Sequence, residues 1–560
     1  MKTKNIFIKI IVLILLTGIT SAVFWGFKEG DDFKIAKSMD IFYSLFRDVN
    51  VYYVDETNPE KMVETGIHAM LEELDPYTVY IPEKDMDEFN FMTTGQYGGI
   101  GALIRSTGEF PVVAKPYQGF PADKTGLKAG DKILEIDGEP ANEIPLDEVS
   151  ERLKGVPQTT VKLLIERPYT GEKMEKELTR EEIQIKSVPY YGVVDNHIGY
   201  IRMTKFTPDV SRDIKNALRE LKTEHQIQSL ILDLRGNPGG LLGEAPKICN
   251  LFIPKGEEIV STKGKTKKWN QTLKTTQVAY DTEIPLAILV SRTSASASEI
   301  VAGAIQDLDR GVIVGQRTFG KGLVQTTIPL NYNAQLKVTT AKYYIPSGRC
   351  IQALDYTHRN EDGSVGHIPD SLISEFKTRN GRTVYDGGGI RPDVDVESDE
   401  VSPLTISLIA QNVIFDFATK FVYENPSIPG VEDFAITEAV YKDFVSFALQ
   451  QDFTYETRSE KELKELIEIA KREKYYERAR KEIEALQLEL INDKEEDLYA
   501  FQPEVIQFLR DEIVGRYYYE EGQIKANLKD DKQLDEAIEI LKNKERYHSI
   551  LSAEQTQEQE

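Results

Sequence analysis

The feature that most restricts the fold of this chain is an alternation of apolar strands and helices between about residues 183 and 400. Ser229–Leu234 and Leu286–Val290 have the composition of buried strands, and Asp209–Leu221 has the spacing of an amphipathic helix. Further strands are predicted over Gly199–Met203, Val312–Gly315 and Leu336–Tyr344, and a further helix over Ser298–Leu308. Because strands that alternate with helices build layered domains, we assign residues 171–400 to an α/β core.

Segments of different character flank this core. A chain of 560 residues is too long for one hydrophobic core, so several domains are expected. Apolar residues at helical spacing predict an N-terminal helical segment over 30–95, and short strands between glycine turns predict a small domain over 96–170. Residues 401–552 read as a C-terminal helical extension, and 553–560 as a disordered tail. The fold class is therefore multidomain α/β.

The amino terminus, residues 1–29, has the features of a targeting segment. Lys2, Lys4 and Lys9 precede an uncharged apolar run from Ile10 to Phe27, about the length that crosses a bilayer. A single signal-anchor would place the rest of the chain on the periplasmic side of the inner membrane. A cleaved signal peptide, with small residues at Thr20–Ala22, remains the alternative and would release the protein into the periplasm.

Composition argues against two classes of function. The chain carries 92 acidic and 68 basic residues, a net charge of −24, which does not suit a nucleic-acid ligand. Six histidines and two cysteines, Cys249 and Cys350, match no metal-ligand spacing, so no metal site is predicted. The two cysteines leave open one disulfide or two free thiols.

The segment Leu289–Ile300, which contains Ser294, Ser296 and Ser298, runs from a strand into a turn of small residues and then into a helix. The first N–H groups of a helix have no intrahelical acceptor, so a hydroxyl there lies beside donors that can stabilise an oxyanion. The segment therefore fits a nucleophile. The alternative is an ordinary helix cap, which serine also favours.

Lys321 follows another predicted strand and lies between two glycines, with apolar residues around it. An apolar pocket lowers the pKa of a lysine, and a neutral amine can take the proton of a serine. Gln325, four residues on, could orient that amine. A surface lysine and a phosphate-binding loop are the alternatives, but Gly322 replaces the Ser or Thr that such a loop requires, and a strand is predicted to follow.

A third segment, Leu232–Leu242, reads as a strand that ends in a glycine turn at Gly239 and Gly240. Such a turn can present a backbone N–H to a cleft, although a purely structural turn has the same composition.

Taken together, these segments resemble the carboxyl-terminal processing peptidases, or tail-specific proteases, which are Ser–Lys endopeptidases with an inserted PDZ domain. The motifs that carry the resemblance occur in family order over roughly residues 35–400. They are Leu74–Tyr77, Asp233–Arg235 with Gly239–Gly240, Ser294–Glu299, Thr318–Gln325 and Pro346–Arg349. The resemblance implies an α/β peptidase core, hydrolysis without a metal or cofactor, and protein or peptide substrates with exposed apolar C-termini.

The same resemblance implies roles for individual residues. Ser296 corresponds to the nucleophile, Lys321 to the general base and Gln325 to the residue that orients the lysine. The remaining matches are Ala297 with Gly239 or Gly240 for the oxyanion hole, and Glu299, Asp307 and Thr318 as supporting polar residues. Ser294 and Ser298 are rival nucleophiles that the resemblance disfavours.

In the predicted PDZ domain, Gly98, Gly99, Ile100 and Gly101 match the loop that holds a peptide carboxylate on backbone N–H groups, with Ile100 lining an apolar pocket. The chain continues far beyond Val394, where the family core ends. This extension matches nothing recognisable, and a homo-oligomer interface, a substrate platform and an adaptor site all stay open for it.

Two other functions compete with this interpretation. One is a PDZ scaffold that binds peptides without hydrolysing them. The other is a Ser-His-Asp hydrolase, although the candidate bases His197, His225, His358 and His367 have no recognisable triad context.

Overall fold

The computed structural model describes residues 31–360, 362–490 and 493–553. It divides into two compact units, Met1–Tyr80 and Ile81–Glu560. The first unit contains helix α1 (Asp31–Tyr52) and helix α2 (Pro59–Glu72), and strand β1 (Val79–Ile81) spans the boundary between the units. Asn58 caps α2 by accepting a hydrogen bond from Lys61 N at 3.0 Å. Within the described ranges, no helix combines the length and the apolar character needed to cross a bilayer, and the Ile10–Phe27 run lies outside those ranges.

The small domain at the start of the second unit is an antiparallel sheet with two short helices. Its strands, in the order β3-β4-β5-β7-β8, are β3 (Ala102–Ser106), β4 (Pro111–Pro116), β5 (Lys132–Ile136), β7 (Thr160–Glu166) and β8 (Lys173–Thr179), with β6 (Glu139–Pro140) paired to β5. Helix α3 (Met86–Thr94) and strand β2 (Gln96–Gly99) precede the sheet, and β9 (Glu181–Gln184) pairs with β2. Helices α4 (Pro121–Lys124) and α5 (Leu146–Leu153) complete the domain.

The sheet of this domain extends to Thr179, beyond the boundary at residue 170 that the sequence suggested. Strand β8 has the sequence KMEKELT, and of its residues only Leu178 is fully buried. A strand with so many charged residues gives no apolar signal, so its pairing with β7 could not be predicted.

The predicted α/β core is confirmed. Its sheet has the order β10-β11-β12-β15-β16-β23, and the strands from β11 onward are parallel. These strands are β10 (Tyr190–Asp195), β11 (Ile198–Arg202), β12 (Ser229–Asp233), β15 (Leu286–Val290), β16 (Val312–Gly315) and β23 (Val394–Asp395). Helices α6 (Val210–Glu224), α7 (Glu244–Cys249) and α8 (Ala297–Asp307) cover one face. Both cysteines are free thiols in this structure.

A second, antiparallel sheet lies beside the core. It contains β17 (Leu323–Pro329), β18 (Gln335–Tyr344), β13 (Glu258–Gly264) and β14 (Gln271–Lys274). Two small hairpins follow, β19 (Leu354–Arg359) with β20 (Val365–His367), and β21 (Glu375–Lys377) with β22 (Thr383–Tyr385). Strand β17 begins two residues after Lys321, so this sheet fixes the position of the lysine turn.

The C-terminal extension is helical, as predicted. Its helices are α9 (Pro403–Ala410), α10 (Val413–Glu424), α11 (Glu438–Leu449), α12 (Arg458–Arg472), α13 (Tyr476–Glu489), α14 (Lys494–Ala500), α15 (Gln502–Asn527), α16 (Lys532–Lys542) and α17 (Lys544–Ile550). Helices α9, α10, α11, α14 and α15 share one hydrophobic core. Residues 554–560 of the predicted disordered tail lie outside the described ranges.

The last two helices of the extension form part of the α/β core. Leu534, Ile538 and Leu541 of α16 pack with Tyr547 of α17 against the sheet face opposite α8, on side chains such as Leu289. These two helices therefore supply the second helical layer of a three-layer α/β domain. The sequence assigned them to a separate domain because an amphipathic helix does not reveal which surface it covers.

Candidate active site

Ser296 ends the turn between β15 and α8 in a strained conformation. Its φ of 58° and ψ of −114° lie in a region that residues other than glycine rarely occupy. Such strain concentrates at functional sites, and a bend between a strand and a helix is also how α/β-hydrolases present a serine nucleophile. The Tyr343 hydroxyl donates to the Ser296 carbonyl at 3.2 Å and helps to hold this conformation.

The hydroxyl groups of the two rival serines both donate hydrogen bonds to backbone carbonyls. The Ser294 hydroxyl donates to the Leu234 carbonyl at 2.8 Å, and the Ser298 hydroxyl donates to the Asn237 carbonyl at 2.9 Å. Both side chains are fully buried, whereas Ser296 retains exposure. No histidine is a partner of Ser296 in the part of the chain that the structure describes. Of the three serines, Ser296 is thus the one that a substrate can reach.

Glu299 joins the serine turn to the lysine turn. Its Oε2 accepts hydrogen bonds from both Ser296 N at 2.8 Å and Lys321 N at 2.9 Å. Its Oε1 accepts from the Thr318 hydroxyl at 2.6 Å and from Gly320 N at 2.7 Å. Burial raises the pKa of Glu299, while these four hydrogen bonds oppose that rise. One buried carboxyl group therefore holds the backbones of residues 296 and 321 side by side.

We expect Glu299→Gln to lower kcat/KM by about 10- to 100-fold. A glutamine amide would direct its own N–H groups at two of the four donors, and each donor left without an acceptor in a buried site is costly. Steady-state kinetics on a peptide substrate would measure the effect. Glu224→Gln, which removes the same charge from an exposed site near the end of α6, is the control, and equal activity of the two variants would contradict the role given to Glu299.

Lys321 is half-buried in the turn between β16 and β17. The flanking glycines are required by close packing, because a Cβ on Gly320 would lie 2.4 Å from Ala353 Cβ and one on Gly322 would lie 2.8 Å from Gln352 N. The chain continues into β17, as predicted, and not into the helix that a phosphate loop requires. On β17, the Gln325 side-chain amide donates to Thr339 Oγ1 at 3.1 Å.

The glycine turn after β12 lies directly against Ser296. Gly239 has a φ of +96°, and a Cβ there would come within 2.8–2.9 Å of Ala295 O, Ala297 N and Ser296 Cβ. Only glycine fits such an approach. Gly240 packs as tightly on Phe206, whose carbonyl oxygen would be 2.4 Å from an added Cβ. Both glycines suggested by the sequence are therefore at the site, and so is Ala297, the first residue of α8.

Asn237 organises this turn, and the sequence analysis did not identify it. Its Oδ1 accepts the Gly239 N–H at 2.9 Å, while its carbonyl accepts the Ala295 N–H at 3.0 Å and the Ser298 hydroxyl at 2.9 Å. The glycine turn and the serine turn are thus tied together. Asparagine commonly bonds to backbone two residues further on in turns, so its place before Pro238 and Gly239 was the available signal.

Of the supporting residues, Thr318 lies at the site and Asp307 does not. The Thr318 hydroxyl donates to Glu299 and accepts the Ile390 N–H at 2.7 Å. Asp307 is at the far end of α8, about 16.5 Å along the helix from Ser296 at a rise of about 1.5 Å per residue. There it forms a buried ion pair with Arg349 at 2.8 Å and accepts the Ser347 N–H at 2.9 Å. Asp307 therefore connects α8 to the Pro346–Arg349 segment.

The proposed carboxylate loop differs in one respect from the sequence interpretation. Gly98 and Gly99 are part of β2, which pairs with β9, and Gly101 has a φ of +74°. Ile100, which the sequence placed in the lining of an apolar pocket, is only 2 % exposed and packs in the core of the small domain. The Ile100 carbonyl accepts the Ala122 N–H at 2.8 Å, which fixes the loop. Strand β3, which follows this loop, is at the edge of the sheet.

A strained serine at the start of a helix, a tightly packed glycine turn beside it and a lysine turn held to it by one carboxylate define a serine peptidase of the α/β type. Family models describe three parts of the chain: residues 197–358 as peptidase family S41, residues 89–166 as a PDZ domain, and residues 404–541 as "Probable PDZ-protease, C-terminal helical domain". The last match covers the extension that the sequence analysis had left unassigned.

The names of two similar proteins agree with these family descriptions. A "Carboxy-terminal-processing protease" of Bartonella bacilliformis is 36% identical over 326 residues, which are 57% of this chain and 74% of the relative. A "Probable CtpA-like serine protease" of Staphylococcus aureus is 34% identical over 310 residues, 55% of this chain and 61% of the relative. The solved structure of a "Photosystem II D1 C-terminal processing protease" is 26% identical, covers 64% of this chain and 92% of its own, and has a TM-score of 0.34. The chain belongs to the S41 family of serine peptidases and is a carboxy-terminal-processing protease with a PDZ domain.

Proposed function

We propose that this peptidase is exported, recognises the C-terminal tails of other proteins through its PDZ domain and cuts them with a Ser296–Lys321 dyad, in protein processing or quality control. The observation that carries the proposal is the Glu299 carboxylate, one oxygen of which accepts hydrogen bonds from the backbone nitrogens of both residues, at 2.8 and 2.9 Å. Because both nitrogens bond to the same oxygen atom, the distance between Ser296 N and Lys321 N cannot exceed the sum of these two hydrogen-bond lengths.

In this mechanism the neutral Lys321 amine takes the proton of the Ser296 hydroxyl, and the resulting alkoxide attacks the scissile carbonyl. The Ala297 N–H and an N–H of the Gly239–Gly240 pair stabilise the oxyanion. Lys321 then passes its proton to the leaving amine, and water hydrolyses the acyl-enzyme. Because the Gln325 amide nitrogen already donates to Thr339, its carbonyl oxygen is the group that would accept a hydrogen bond from the lysine.

The substrate tail would add as a strand to the open edge of β3, with its terminal carboxylate on the backbone N–H groups of the loop from Gly98 to Gly101. An apolar peptide with a free carboxylate should bind at least about 10-fold more tightly than the same peptide with a C-terminal amide, since hydrogen bonds to a charged group are worth about 1.5–3 kcal/mol. Fluorescence anisotropy on the full chain would measure the difference. Equal affinity for the two peptides would exclude carboxylate recognition.

The proposed function is tested by a folded substrate that ends in an unstructured apolar tail, incubated with the full-length enzyme. We expect cleavage near the tail, and a serine-directed fluorophosphonate should inhibit it and label Ser296, as read by mass spectrometry of the digested enzyme. A label on Ser294 or Ser298, or cleavage that does not change when the tail is removed, would contradict the proposal.

The proposal extends to location and assembly. The apolar run Ile10–Phe27 would anchor the enzyme on the periplasmic side of the inner membrane, or be cleaved on export. Helix α1 exposes large apolar side chains, among them Phe33, Met39 and Phe42, and this surface supports a homo-oligomer. Recovery of the enzyme in the cytoplasmic fraction would contradict export, and a monomeric mass in solution would contradict an oligomer.

A further inference from the structure

The C-terminal extension also contacts the glycine turn of the core through Asp531, the residue that caps the start of α16. The Asp531 Oδ1 accepts hydrogen bonds from Gln533 N and Leu534 N, both at 3.1 Å, and so caps the helix. The same carboxylate also receives the Arg235 guanidinium, from Nη1 to Oδ1 at 2.9 Å and from Nη2 to Oδ2 at 2.7 Å. The pair is bidentate and mostly buried, with side-chain exposures of 17% and 14%. Bidentate pairs fix orientation as well as adding binding energy.

Arg235 simultaneously binds Asp233 at the end of β12. Its Nη2 donates to Asp233 Oδ2 at 2.7 Å and its Nε to Oδ1 at 3.0 Å. Arg202 binds the same carboxylate at 2.8 Å, and Asp233 is fully buried. Although burial opposes ionisation, the two guanidinium groups hold the pKa of Asp233 well below its usual range.

Asp531 completes the charge balance of this cluster. Two guanidinium groups face two carboxylates, so the group as a whole is neutral. If the Asp531 charge were removed, one guanidinium would lack its counter-charge in a largely water-free site, which is costly. Arg235 would then have to move toward solvent or toward another acceptor.

Arg235 begins the glycine turn of the active site. The next residue, Gly236, donates its N–H to Ser291 Oγ at 3.0 Å, and the Asn237 carbonyl holds Ala295 N and Ser298 Oγ of the serine turn. Gly239 then packs on Ser296. A continuous series of short contacts thus runs from the start of α16, through Arg235, to the nucleophile.

We propose that Asp531 is a positioning residue for peptide hydrolysis: by holding Arg235, it keeps the glycine turn in register with Ser296. In this proposal the C-terminal extension contributes to catalysis by positioning the glycine turn. Asp531 contacts the turn only through Arg235. We therefore expect it to affect the step in which the oxyanion forms, and to leave binding of the substrate tail to the PDZ domain unchanged. The inference rests on the proposed function, because it takes Ser296 as the nucleophile.

The test is Asp531→Asn in the full-length enzyme. The asparagine oxygen can still cap α16, but the charge and one acceptor for Arg235 are lost. We expect kcat to fall about 10- to 100-fold while KM stays within about twofold, the pattern of an interaction used in the transition state. Asp531→Glu keeps the charge and should recover most of the activity. Asp530→Asn is the matched control, since its carboxylate is 77% exposed and lies 3.8 Å from Arg510.

Two further measurements keep the outcomes distinct. Thermal unfolding of each variant separates a shift of the turn from loss of the fold, and kinetics are taken well below the midpoint. If Asp531→Asn fails to fold, Arg235→Lys tests the same ion pair by changing the other partner. Lysine keeps the positive charge but cannot bind Asp531 in the bidentate mode. Its kcat should fall in the same way with KM unchanged.

A wild-type kcat in Asp531→Asn, an equal loss in Asp530→Asn, or a rise in KM alone would each overturn the positioning role. In the same series, Ser296→Ala with normal turnover would instead overturn the proposed function. The two failures are therefore distinguishable.

Discussion

Lys321→Ala should reduce kcat/KM by about 10⁴-fold or more, because removing one member of a serine-protease triad lowers kcat by about 10⁴- to 10⁶-fold. Without the amine, the Ser296 hydroxyl loses the base that the proposed mechanism assigns to it. Lys321→Arg should not restore activity, because a guanidinium stays charged at all relevant pH values. Cleavage of the tailed substrate measures both variants. Lys342→Ala removes an exposed lysine from the neighbouring strand β18 and should behave like the wild type.

The pH profile adds a readout specific to the amine. Wild-type kcat/KM should fall on acidification, since in the proposed mechanism the Lys321 amine acts as a base only in its neutral form. The residual activity of Lys321→Ala should not follow the same curve. Normal turnover in Lys321→Ala, or activity in Lys321→Arg, would exclude the dyad.

Gly239→Ala should lower kcat/KM by about 10³-fold, comparable with the loss of an oxyanion-hole donor. The new Cβ would come within 2.8 Å of the Ala295 carbonyl oxygen and 2.9 Å of Ala297 N. Both atoms are backbone, so neither can swing aside, and the glycine and serine turns must separate. Peptide hydrolysis measures the loss, and peptide binding to the PDZ domain should not change.

Gly256→Ala is a closely matched control for this variant. Gly256 has a φ of +98°, nearly that of Gly239 at +96°, but nothing lies within 4 Å of a Cβ built there. Both variants incur the strain of a left-handed alanine, about 1–2 kcal/mol. Only Gly239→Ala adds the collision with the serine turn. If the two variants lose the same activity, the contact between Gly239 and Ser296 has no catalytic importance.

The sequence predicted most of the fold because its signals are local. The core strands are apolar runs, as in Leu286–Val290, and the serine and lysine turns stand out as small-residue bends next to them. The hairpin strand Lys173–Thr179 was missed, since its charged residues give no apolar period. The place of α16 and α17 on the core sheet was missed as well, because helical periodicity shows that a face is buried and not what buries it.

The sequence pointed to Glu299 and Thr318, which lie at the candidate site, but it did not distinguish them from Asp307, which lies away from it. All three are polar residues that match supporting positions of the family, yet Asp307 lies at the opposite end of an eleven-residue helix and pairs with Arg349. No pattern in the sequence pointed to Asp531. It meets Arg235 only because two segments separated by almost three hundred positions in the chain fold together.

The helices α16 and α17, which cover one face of the peptidase sheet, come from the last described stretch of the chain. During synthesis the sheet residues are made before residues 532–550, so this face of the sheet stays exposed until α16 and α17 follow. The packing of the sheet is complete only after residues 532–550 have been synthesised. Loss of these two helices would expose the apolar face of the sheet, inactivate the enzyme and leave it prone to aggregation.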